Sequence, residues 1–163
     1  MTIRYEPLNR RERILKLFRE ALEAENRRDL DEAKKKLDEV LHESMEYEPD
    51  LYFEACFRLA DIFIQEENYR GAVKMALRGM SYAPREEQYA LAIKRLGDIL
   101  AIIKDRGALD QLATGMENAL VAFKDDENIY SLVEAIIRAA RGEKVDTEKL
   151  PPEFREILYV LTG

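Results

Sequence analysis

From Asn9 onward, apolar residues recur at intervals of three and four, and no segment alternates apolar and polar positions as a half-buried strand would. Ile14, Leu15, Leu17, Phe18, Ala21 and Leu22 predict a first helix ending near Asn26, with Asn9 as N-cap and Glu12 at the capping-box position. Asp29 and Glu32 repeat that cap ahead of Leu30, Ala33, Leu37, Val40 and Leu41, so a second helix follows after a very short turn. Pro49 and Asp50 open a third through Phe53, Cys56, Phe57, Leu59, Ala60 and Phe63, and Asn68 caps a fourth that stops before Pro84. A fifth helix is expected over about 86–104, and a sixth follows Gly107 through Leu109, Leu112, Met116, Ala119 and Leu120. Residues 129–140 predict a seventh, with Gly142 just past its end. "PPEFREILYVL" starts a short last helix with proline in its first turn.

Short turns between amphipathic helices imply antiparallel hairpins. The expected architecture is all-α: a single domain over 1–163, with hairpins at about 9–46, 50–83 and 86–123 and a partial fourth hairpin and cap at 127–163. Within "NYRGAVKMALRGMSYAP", Ala72, Ala76 and Gly79 recur at four and then three residues and fall on one helix face. A face kept that small lets another helix approach closely, and a bulky residue at Ala72 would overpack the crossing by about 1–3 kcal/mol.

The spacing of Cys56, Leu59, Ala60, Phe63, Ala72, Ala76 and Pro84 resembles the signature of a tetratricopeptide repeat across residues 53–86. Weaker copies surround Ala33 and Leu112, and the anchor positions 33, 72 and 112 are 39 and 40 residues apart where the family uses about 34. The resemblance implies a right-handed superhelical stack of hairpins, acting as a protein-protein interaction module whose first helices line a concave groove. Carried onto this sequence, the groove positions are Leu15, Phe18 and Leu22 in the first unit, Glu54, Phe57 and Asp61 in the second, and Lys94, Gly97 and Ala101 in the third. Phe18, Leu22 and Phe57 stand where the subfamily that clamps a chain-terminal carboxylate carries lysine and asparagine, so a chaperone C-terminal tail is not the expected ligand.

Charge sharpens the partner class. The formal net charge is -7, yet residues 1–36 sum to +3 while residues 37–70 carry ten acidic against two basic side chains. A partner touching that acidic stretch should be basic and its association salt-sensitive. Lys, Arg and Glu abound while Gln, Asn and Ser are scarce, a bias resembling proteins of hot environments. Apolar runs of only a few residues predict no membrane span, and the N-terminal stretch lacks a secretory pattern, so the cytoplasm is the expected compartment.

Chemistry is sparse. The single histidine, His42, has no His or Cys at metal-ligand spacing and reads as a surface residue, and Cys56 reads as a small buried hydrophobe. Neither a nucleophile elbow nor a phosphate-binding glycine loop is present, so no enzyme activity, metal or cofactor is expected. The leading expectation is an adaptor that grips a peptide or helix through Leu15, Phe18, Leu22 and Phe57, with Glu54 and Asp61 selecting a basic neighbour. A self-assembling homodimer is the alternative, because Phe154, Ile157, Leu158, Tyr159, Val160 and Leu161 spread apolar groups around most of the last helix. That leaves Tyr159 and Val160 in search of cover. A nucleic-acid accessory role through the basic first hairpin ranks below both, since Glu12, Glu20, Glu23, Glu25 and Asp31 interleave the basic residues.

Overall fold

The computed structural model describes residues 9–163, so the first eight residues of the expected domain lie outside the described residues. Eight α-helices and no strand occur among these residues: α1 (Arg10–Asn26), α2 (Leu30–Ser44), α3 (Pro49–Gln65), α4 (Tyr69–Ser81), α5 (Glu86–Asp105), α6 (Glu117–Ala122), α7 (Glu127–Ala140) and α8 (Arg155–Thr162). Each of α1 to α4 packs on the next, the serial neighbour contact of a helical solenoid. No described helix is long and apolar enough to cross a membrane.

The caps form as their side chains require. Asn9 Oδ1 accepts from the Glu12 amide at 2.8 Å while Asn9 Nδ2 donates to Glu12 Oε1 at 3.0 Å, and Asp29 and Asn68 accept from Glu32 and Gly71. One turn recurs with them. Arg28, Glu67, Gly107 and Gly142 all have positive φ, and each is followed by an amide that reaches back five residues. Those bonds run Asp29 to Ala24, Asn68 to Phe63, Ala108 to Ile103 and Glu143 to Arg138, at 2.7–3.0 Å. The first three turns lie 39 and 40 residues apart (28, 67, 107), matching the spacing of the anchor positions 33, 72 and 112.

Two of these turns place a non-glycine residue in the left-handed region, which costs roughly 1–2 kcal/mol where glycine has no such penalty. Glu67→Gly is therefore expected to raise the free energy of unfolding by about 0.5–1 kcal/mol after its larger chain entropy is deducted. Urea denaturation checks this, and a destabilised variant would contradict the turn geometry.

The third turn ends differently. Position 108 is alanine where the earlier turns have Asp29 and Asn68, so no side chain caps a following helix, and only a 3-10 turn forms at Leu109–Leu112. Gly115 then adopts φ +79°, and α6 is a single short stretch beyond it. The expected sixth helix, and with it the third hairpin at 86–123, is thus broken. Arg70 Nε donates to the Thr114 carbonyl at 2.7 Å and Arg141 Nε to the Ala113 carbonyl at 2.9 Å, which satisfies backbone groups that a helix would have paired internally.

The partner that α5 gains instead is α8. Phe154, Ile157, Leu158 and Leu161 are buried, and the Phe154 ring lies 6.4 Å from that of Tyr89. Lys104 Nζ donates to the Val160 and Gly163 carbonyls at 3.1 and 3.2 Å, tying the last turn of α8 to α5. The C-terminal segment therefore closes the stack by folding back over α5.

Candidate partner-binding surfaces

Of the positions expected to line the concave groove, Phe57 alone is buried, and the others are exposed or half-buried. Leu15 is 39% exposed, and Phe18 and Leu22 are half-buried, so the first unit keeps an apolar surface. Glu54 is exposed. Phe57 is 2% exposed and is a core residue, not a groove wall. The reason lies on α4: a Cβ at Gly79 would stand 2.6 Å from Phe57 Cε2, so the ring fills the space that the glycine leaves. Arg95 covers it from the other side, with its guanidinium 5.1 Å from the ring centroid.

Asp61 is accessible, but its neighbours desolvate it enough to push its pKa above the usual carboxylate value while Arg95 and Arg58 pull the other way. Glu25 behaves alike: burial raises its pKa, the Arg58 guanidinium at 3.2 Å lowers it, and the Asp61 charge raises it. The two carboxylates and two arginines compensate one another. Asp61 thus faces basic side chains of its own chain before it could select a basic partner.

Four basic residues of the first hairpin are similarly engaged. Lys34 Nζ is 2.9 Å from Glu66, Lys36 Nζ is 3.0 Å from Glu20, Arg13 lies 3.5 Å from Glu43, and Arg11 pairs with Glu48. Hydrogen bonding to Glu20 raises the Lys36 pKa, and bonding to Lys36 lowers that of Glu20. Cys56 is buried, and burial pushes its thiol up to about 12, which leaves it protonated and unreactive near neutrality.

Two openings adjoin the second helices of successive hairpins. A cavity of about 540 Å³ lies between α2 and α4, and another of about 490 Å³ continues toward the α6–α7 turn. Both are lined by Met45, Tyr52 and Arg78, so they form one cleft with a common waist. Asp38, Glu39 and Glu43 line its first half, with His42 among them, and Asp125 and Asp126 line the second. The floor is apolar and aromatic. Met45 is 46% and Tyr82 44% exposed, and the Tyr52 and Tyr82 rings meet edge to face at 5.3 Å. Tyr52 is buried, and burial raises its phenol pKa against a smaller opposing pull from Arg78. Arg78 makes no salt bridge among the described residues.

Local sequence explains the cleft. Met45 ends α2 and the chain turns before Pro49 opens α3, while Tyr82 ends α4 before Pro84; both helices therefore stop at the same edge of the stack. Acidity of residues 37–70 pointed here, but the exposure of Met45 and the position of Arg78 depend on hairpin packing. A third opening, of about 390 Å³, separates α5 from α8 and includes Lys94, Gly97 and Ala101, the groove positions of the third unit. Val160 is half-buried on its other wall and Tyr159 is 57% exposed nearby on α8. No family model, curated protein or solved structure matches this chain.

Proposed function

We propose that the protein is an interaction scaffold of the tetratricopeptide kind that holds a basic, partly apolar segment of a partner protein in the cleft between α2 and α4. The observation that carries this reading is the cleft itself: two cavities share Met45, Tyr52 and Arg78, and carboxylates bracket them at both ends. An extended, open trough with an apolar floor suits a helix or peptide, whose side chains reach the floor while its cationic groups meet Asp38, Glu39 and Asp125. The same carboxylates repel the phosphates of a nucleic acid. Arg78, at the waist, donates to a carbonyl or carboxylate of the bound segment, and so fixes its register. The lone, buried Cys56 suits a reducing compartment such as the cytoplasm.

The test uses an amphipathic peptide of alternating lysine and leucine turns, with a glutamate version of the same length as control. Binding by fluorescence anisotropy, with backbone NMR shifts to locate it, should favour the lysine peptide and move signals of Met45 and Tyr82. Raising salt from about 50 to about 500 mM should weaken binding markedly. The double variant Asp38→Lys with Asp125→Lys should bind roughly ten-fold more weakly while its helical signal is retained. Equal binding of the acidic peptide, or shifts confined to α1, would sink the reading.

A further inference from the structure

Gly97 is a glycine that its own chain does not require. It sits inside α5 with ordinary helical backbone, where glycine is the poorest non-proline choice, and a Cβ added there would meet nothing within 4 Å. Gly79 on α4 makes the contrast, since it accommodates Phe57. What Gly97 does leave is depth in the groove between α5 and α8, whose floor includes Ala90 and Ala101 and whose far wall is Ile157 and Val160.

A knob stands beside this hole. Tyr159 is 57% exposed and follows Glu156, a groove-lining residue, by three positions on α8, so the two adjoin on the helix surface. Lys104 anchors the turn beneath it through the Val160 carbonyl, which holds the ring's base on α5. The groove also carries both signs of charge, Lys94 against Asp98 and Glu156. Knob, hole and opposite charges on a single face are the requirements of an isologous contact, in which a two-fold axis sets each feature against its complement.

We infer that a second copy of this chain occupies the α5–α8 groove: the two copies form a symmetric dimer in which each Tyr159 ring enters the other's groove above Gly97, and each Lys94 meets the other's Glu156. This contact is separate from the α2–α4 cleft, so either can fail without the other. It assigns a role to Gly97 and Lys94 together with Tyr159 and Val160.

Sedimentation equilibrium over about 1 to 500 µM, with circular dichroism melts of every variant, tests the dimer. The intact protein should reach twice its 19.0 kDa chain mass within that range. Gly97→Leu, which fills the hole, and Tyr159→Glu, which charges the knob, should each raise the dimer dissociation constant at least about ten-fold. Reversing Lys94 to Glu should weaken it, and adding Glu156→Lys to the same chain should restore it, because a two-fold contact re-pairs the swapped charges. If Gly97→Leu or Tyr159→Glu loses its helical melt, Gly97→Ala and Tyr159→Ser are read in its place. An intact chain that stays monomeric throughout overturns the inference, as does a dimer of unchanged affinity in the groove and knob variants.

Discussion

Phe57→Ala is expected to lower the free energy of unfolding by about 3–5 kcal/mol, among the largest effects of any single truncation in this chain. The ring is 2% exposed, packs 5.0 Å from the Phe53 ring at a tilt, and lies where Gly79 on the facing helix has no side chain. Its removal leaves a void that two helices cannot close without sliding, since Gly79 offers no atoms to fill it. Phe57→Glu is worse, because it buries a carboxylate in an apolar space beside Arg95, and it should abolish the cooperative helical melt. A groove residue would tolerate that charge. Restoring volume from the other side, with Gly79→Leu added to Phe57→Ala, should recover part of the loss, so that the double variant is more stable than the sum of its parts. Chemical denaturation followed by circular dichroism measures all of these. A loss below about 1 kcal/mol for Phe57→Ala would return the ring to the surface.

Reasoning from spacing could reach the helices because their ends are written locally. Asn9, Asp29 and Asn68 each carry an oxygen that bonds an amide three residues on, and Pro49 opens its helix without needing one. Ala72, Ala76 and Gly79 also speak for themselves, since all three are buried where α3 and α4 cross. The sixth helix could not be read this way. Leu109, Leu112, Met116 and Ala119 keep helical period, yet Ala108 offers no cap, Gly115 bends the chain, and Arg70 and Arg141 from distant helices bond the carbonyls that a continuous helix would have paired. Hydrophobic period reports which residues are buried, and Leu112, Met116 and Ala119 are indeed buried; it does not report that the backbone between them is continuous.

The binding surfaces divide along the same line. Acidity in residues 37–70 is a property of sequence, and it survives folding as the carboxylate wall of the α2–α4 cleft. Which face of a hairpin stays open is a property of packing. Phe57 has the same helical spacing whether it faces a groove or a neighbour, and only Gly79 and Arg95 decide between them. Tyr159 shows the reverse case: the last helix has more apolar residues than one buried face can take, and the excess residue stays 57% exposed after α8 has docked.

Phe154→Ala should cost a further large amount, about 3–5 kcal/mol, for a reason that is topological as well as local. Phe154 is fully buried in the turn that launches α8, its ring is 6.4 Å from Tyr89 on α5, and the segment before it is bounded by Pro151 and Pro152. Because α5 lacks a regular hairpin partner after Asp105, α8 packs along it instead, with Ile157 and Val160 across from Gly97 and Ala101 and with Lys104 bonded to the Val160 and Gly163 carbonyls. Weakening the Phe154 anchor therefore undocks a helix of eight residues that is too short to persist alone in water. Truncation should then show as lost amide protection in α8 and in the second half of α5, while α1 to α4, which pack on one another, keep theirs. Hydrogen exchange separates this from uniform destabilisation. If protection falls equally in α3 and α8, the stack unfolds as one unit and Phe154 does not anchor a separable cap. The same variant bears on assembly, because Tyr159 and the groove wall at Val160 both ride on α8. A Phe154→Ala chain that undocks α8 and still dimerises at unchanged affinity would place the contact between copies somewhere other than the α5–α8 groove.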